Sequence, residues 1–202
     1  MNWIKKWMFC LLPFMLTLTT GFGQKTADTV VNYLGTGEII TINKLEYKLS
    51  WSAHPVDNYY KQEYIPVSEK PDQYKNMVLV EFLLIDTPAK NIVNLKAIEI
   101  VTRKKTDAVA NFMLRQKPET GEYLLDFILS AGSGDKVSVV ELNAYRYKNY
   151  TDKAGHKGVL LFALSRRAYG DDVMPFLKNL NNERHNITKD ITKVDFPEVA
   201  VK

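Results

Sequence analysis

Ser165, Arg166, Arg167, Ala168, Tyr169, Gly170, Asp171 and Asp172 form the densest polar run in the sequence. Two guanidiniums can hold a carboxylate or phosphate through paired hydrogen bonds. Tyr169 could add a hydroxyl, and a carboxylate such as Asp171 or Glu141 could act as general base. That set would suit a hydrolase working on an anionic substrate. A plainer reading competes with it. Adjacent residues of a strand point to opposite faces, so one arginine must enter a packed side, where a charge left without a partner is costly. Glu81 and Glu141, each within an otherwise apolar stretch, are the partners this reading expects. An aspartate of the Asp171-Asp172 pair would then cap the helix that follows.

The second candidate is aromatic. Trp51, Tyr59, Tyr60 and Tyr64 cluster in one segment, and Tyr145, Tyr147 and Tyr150 in another. Tyrosine joins flat apolar area to a hydroxyl, which suits contact with a protein or glycan and equally suits packing at a sheet edge. The binding candidates are thus Arg166, Arg167, Tyr169, Trp51, Tyr60, Tyr64 and Tyr147.

Other chemistries lack their spacing. The three histidines, His54, His156 and His185, fall in expected turns or a helix end, and no two share the helical spacing that grips one metal ion. Gly132-Ser133-Gly134 reads as a hairpin tip, without the pattern of a strained nucleophile elbow. Gly35-Thr36-Gly37 precedes a strand, whereas a phosphate-binding loop opens a helix. The acceptor patterns Asn149-Tyr150-Thr151 and Asn186-Ile187-Thr188 would matter only in a glycosylating host. No catalytic residue, metal site or cofactor is implied.

The N-terminus carries the clearest address. Lys5 and Lys6 precede an apolar run over 7–18, followed by small residues up to Gly23, the order of a secretion signal cut before Gln24. The run is shorter than the roughly 20 residues a membrane-spanning helix needs, so no integral span is expected after cleavage. Cys10, the only cysteine, lies inside it, so the processed chain would have no disulfide and rely on an ordinary core. Removing 23 of 202 residues leaves 179, and removing two lysines takes the charge from +4 to 25 − 23 = +2. A near-balanced charge argues against nucleic acid as a partner. These features predict a periplasmic or secreted protein of a bacterial envelope.

The elements that would position these side chains follow from periodicity. Segments Ile39–Ile42, 45–51 and 59–67 read as strands, with a turn over 54–58. Segment 77–85 is apolar on both alternating faces apart from Glu81, which predicts a central strand covered on both sides. Asp86-Thr87-Pro88 should open a helix, with Ala89, Ile92, Val93, Ala97, Ile100 and Val101 as its apolar stripe. Segments 109–115, 123–130, 137–147 and 158–167 read as a four-strand meander. A second helix should start at Gly170, present Val173, Phe176, Leu177 and Leu180, and end at Asn181-Asn182, leaving 191–201 as a short strand or tail. Strands gathered between two helices predict an α+β fold, a largely antiparallel sheet of about 6–8 strands with two helices packed on it. The organisation is a signal peptide over 1–23, a flexible leader over 24–37 and a single domain over 38–202.

Within this order Tyr60-Lys61-Gln62-Glu63-Tyr64-Ile65-Pro66, then Glu69, then Met77-Val78-Leu79-Val80-Glu81-Phe82, resembles a segment of exported bacterial proteins in which an E-(Y/F)-(I/V)-P-x-x-E strand precedes a hydrophobic one. The element order is also similar to the PsbP/DcrB-like α/β fold. The resemblance implies an accessory or binding role and transfers no catalytic residue. Three functions follow as expectations: a non-catalytic binding or accessory protein with a protein or envelope partner, an envelope hydrolase using Arg166, Arg167 and Tyr169, and a structural component that self-associates along a strand edge.

Overall fold

The computed structural model describes residues 30–133 and 136–201. The expected signal segment and the start of the leader lie outside the described residues, as does Gly134 of the expected hairpin tip. Eight strands make one sheet: β1 (Ile39–Ile42), β2 (Leu45–Val56), β3 (Tyr59–Pro66), β4 (Asn76–Leu83), β5 (Asn111–Lys117), β6 (Glu122–Ser133), β7 (Lys136–Thr151) and β8 (Lys157–Tyr169). Their order is β1-β2-β3-β4-β8-β7-β6-β5, and every pairing is antiparallel. The sheet is therefore two meanders, β1 to β4 and β5 to β8, sealed where β4 meets β8. Helix α1 (Ala89–Arg103) carries the chain from the centre to the far edge.

β4 is central, as its two-sided apolar pattern requires. Val78, Val80 and Phe82 enter the larger core, while Leu79 on the opposite face enters the smaller one beneath α1. Close packing at the seal shows at Gly158, where an added Cβ would lie 2.2 Å from the Leu83 carbonyl oxygen. Any side chain there would push β8 off β4.

The fold is α+β with three helices, not two. A turn of 3-10 helix (Gly170–Asp172) leads into α2 (Val173–Lys178), the chain bends at Asn179, and α3 (Leu180–Thr192) follows. The expected end at Asn181-Asn182 is thus the first turn of α3. Its buried stripe is Arg184, Ile187 and Ile191, and an arginine in the stripe made the segment read as polar. The tail after α3 pairs with no strand. It lies along Leu34 instead, with the Ala200 N–H donating to the Leu34 carbonyl at 2.9 Å. Leu34 is fully buried and its own N–H donates to Gln62 Oε1 at 2.7 Å, so the segment read as leader contributes to the core.

Both expected side-chain caps are absent. Pro88 is the N-cap of α1 and no side chain there caps it. The Ala89 N–H donates instead to Asn149 Oδ1 of β7, at 2.7 Å. Asp172 makes no capping bond and pairs with Lys75 at 3.2 Å. His54, expected in a turn, lies within β2 and stacks on Tyr60 with ring centroids 4.0 Å apart.

Candidate functional site

β8 delivers the two arginines to opposite faces, as its alternation demands. Arg166 shares a face with Leu164 and Ala168 and reaches α3, 2.6 Å from Asp190 and 3.5 Å from Glu183. Arg167 emerges on the α1 side. It pairs with Glu141, its register partner on β7, and its guanidinium stacks on Tyr74, 4.1 Å from the ring centroid. The Tyr169 hydroxyl donates to the Tyr74 carbonyl at 2.9 Å. Burial opposes the Arg167 charge, but Glu141, Tyr74 and Tyr169 together outweigh it and the guanidinium is held above the ordinary arginine range. Burial and the same carboxylate push the Tyr74 phenol well up. The expected pocket of Arg166, Arg167 and Tyr169 is therefore not assembled, since the two arginines are separated by the sheet.

The partner expectation holds for Glu141 and changes for Glu81. Glu81 lies opposite Lys61 in the β3–β4 register. Burial raises its carboxyl above the usual range, against the pull of Lys61 and a hydrogen bond from Tyr59. Lys61 also contacts Glu63 at 2.8 Å and sits 5.6 Å above the Trp51 ring. Burial disfavours its charge, yet Glu81 and Glu63 together raise its pKa. Asp171, the other candidate base, is exposed at the 3-10 turn. An open cleft of about 310 Å³ is lined by Lys75, Arg167, Asp172, Phe176 and Glu183 among others, and Asp171 is not part of its lining.

Three of the candidate tyrosines are packed inside. Tyr60, Tyr64 and Tyr147 are all buried. Tyr64 closes a polar cluster in which Gln62 Nε2 donates to its hydroxyl at 2.6 Å and to Thr36 Oγ1 at 3.0 Å. Tyr147 belongs to the core beneath α1, beside Tyr145. They form no recognition strip. Trp51 differs: it is 46% exposed, with Lys61 over its ring.

Two arrangements escaped the sequence reading. Asp126, fully buried on β6, accepts from Arg115 at 2.9 Å and pairs with Arg184 of α3. Arg146 donates to the carbonyls of Ile191 and Val194, at 2.9 and 2.6 Å, and pairs with Glu122. With Arg166, these fasten α3 to the sheet. The other is the outer face of α1, where Leu95, Ile98 and Val101 are exposed. Val101 was expected in the core, but one turn places it away from Val93 and Ile100, which face the sheet.

A protein-family model matches residues 34–196. The chain belongs to that family. Neither a curated protein nor a solved structure matches it. The matched span opens on Leu34, inside the core, and closes on Phe196, whose ring receives Arg146 at 4.3 Å and Lys148 at 4.2 Å. It covers all eight strands and all three helices.

Proposed function

We propose that the chain is an exported, non-catalytic binding or accessory protein of the bacterial cell envelope, periplasmic or secreted. The observation that carries this reading is the separation of Arg166 and Arg167 onto opposite faces, each engaged by carboxylates. An anionic substrate reaching Arg167 would have to displace Glu141, which removes the main support for hydrolysis. The export pattern over 1–23 and the resemblance to exported proteins with a PsbP/DcrB-like fold support the location and the accessory role. Trp51, exposed on the edge hairpin beside Lys61, is the candidate contact residue for a protein or envelope partner. Among the described residues no helix is long and apolar enough to cross a membrane, and no group of three acidic, histidine or cysteine side chains is placed to hold a metal ion.

The test is to express the full chain with a C-terminal tag in a bacterium, fractionate the cells and cross-link gently before recovery. The expected result is a processed chain in the periplasmic or extracellular fraction that captures a specific partner. Recovery of an unprocessed chain from the cytoplasm, or of no specific adduct under gentle conditions, would overturn the proposal.

A further inference from the structure

The outer face of α1 presents an apolar stripe. Leu95, Ile98 and Val101 follow one another at three-residue spacing and are 58%, 61% and 54% exposed. They lie opposite Ala89, Val93 and Ile100, which are buried against the sheet. The helix therefore carries apolar side chains on both faces, although only one of them packs on the protein.

Charge says what the outer stripe fits. Residues 86–107 hold Lys90, Lys96, Arg103, Lys104 and Lys105 against Asp86, Glu99 and Asp107, a net of 5 − 3 = +2. The chain without residues 1–23 also carries +2, so this element accounts for its net positive charge. Lys96 is answered by Glu99 at 3.0 Å and Arg103 lies 3.6 Å from Asp107. Lys90, Lys104 and Lys105 are exposed around the two ends of the stripe. Cations after the last turn suit the helix dipole, but Lys90 stands in the first turn, where the dipole favours an anion and none is present. Helix stability therefore does not account for Lys90.

We propose that the outer face of α1 is a docking surface for an anionic lipid bilayer, the helix lying flat with its stripe among the acyl chains and its lysines at the headgroups. A short apolar face bordered by lysines is the chemistry of an interfacial helix, and α1, with 15 residues, is too short to span. This rests on the envelope reading only for where such a surface would be met. Three partly exposed side chains and three lysines give reversible, salt-sensitive attachment, since each lysine near an anionic surface adds an increment that screening removes.

The test is flotation of the full chain with phosphatidylcholine vesicles, with and without phosphatidylglycerol, at low and high salt. The expected result is binding to the phosphatidylglycerol vesicles that is lost at high salt. The Lys104→Glu/Lys105→Glu variant should weaken it by roughly tenfold or more, from about 1 kcal/mol per lysine at the surface. Leu95→Ser/Ile98→Ser should abolish it, with circular dichroism checking that the fold is kept. If that variant fails to fold, the lysine variant, altered only beyond the helix end, decides alone. Equal binding to both vesicle types, no binding, or binding indifferent to the lysine reversals would overturn the proposal. Capture of a specific envelope protein by a chain that ignores vesicles would sink the lipid surface while leaving the envelope function standing. Vesicle binding by a chain found unprocessed in the cytoplasm would do the reverse.

Discussion

Asp126 concentrates the consequences of a single side chain. Its carboxylate is fully buried between Arg115 and Arg184, and the Arg184 side chain is only 6% exposed. Breaking a buried pair from one side leaves a desolvated charge behind and costs about 3–5 kcal/mol, whereas replacing both members with apolar residues of similar volume can be nearly neutral. Asp126→Asn is therefore expected to lower unfolding stability in urea by about that amount, and Asp126→Leu/Arg184→Leu by less than the single change. A double variant weaker than the single one would show that the pair is not the clamp described here. Trp51 gives a second prediction. The sequence has three tryptophans, Trp3, Trp7 and Trp51, so a chain processed after Gly23 keeps Trp51 as its sole tryptophan, which excitation at the red edge of the indole band selects over the tyrosines. Its half-exposed ring should emit to the red of a buried indole and be quenched readily by acrylamide, with partner binding shifting it to the blue. Sequence alone predicted that a carboxylate would answer the inward arginine, because burying a charge permits little else; Asp190 and Glu183 answer Arg166 on the core face, and the expected partner Glu141 answers Arg167 on the other. It could not reveal which tyrosines would be sealed. Tyr60, Tyr64 and Tyr147 look like Trp51 in a linear pattern, and only their position beneath other elements distinguishes them.

At the scale of elements, strands were more legible than helices because their alternation is a local property. Segment 77–85 declared itself central since both its faces are apolar, and β4 occupies that place. Helix α3 was illegible for the opposite reason. Its stripe includes Arg184, which becomes a core residue only once Asp126 is brought 58 positions back in the chain to meet it. The α1 cap was hidden in the same way, because Asn149 is 60 positions from Ala89. Asn149→Ala is expected to cost about 1 kcal/mol, the usual value of a cap, measured by denaturation, while Asp86→Ala should change little. Loops are tied by aspartates. Burial would raise the Asp107 carboxyl, but hydrogen bonds from Ser130 and Val109 outweigh it and hold the pKa below 3.8. At Asp152 burial is likewise outweighed by bonds from His156 and Val201, below the same ordinary value. A depressed folded-state pKa contributes stability that is present above the unfolded value and lost as pH falls through the folded one. Stability should thus fall below about pH 4, and Asp107→Asn/Asp152→Asn should flatten that part of the curve. An unchanged acid limb would show that other carboxylates govern it.

Across the whole molecule the sheet is built from two local meanders and one distant closure. Neighbouring strands within each meander follow one another in sequence, but Val80 of β4 pairs with Phe162 of β8, so the central seam brings together residues about eighty positions apart. A contact of that sequence separation forms late, after the loop-closure entropy of the intervening chain has been overcome. Once formed, it is the best protected part of the fold. Val80 and Phe162 are fully buried, α2 and α3 cover one face, and the seam has a strand on either side. β1 and β5 each have a neighbour on one side only, and much of β5 is exposed. Native-state hydrogen exchange should therefore rank the amides of β4 and β8 as exchanging only through global unfolding, with β1 and β5 opening locally at lower free energy. Gly158 lets the ranking be tested by mutation. A side chain there meets the Leu83 carbonyl, so Gly158→Ala should erode protection at the adjoining ends of β4 and β8 and lower global stability together. Loss confined to the β7–β8 loop would instead mean that the two meanders are stable apart and the seam is not what unites them.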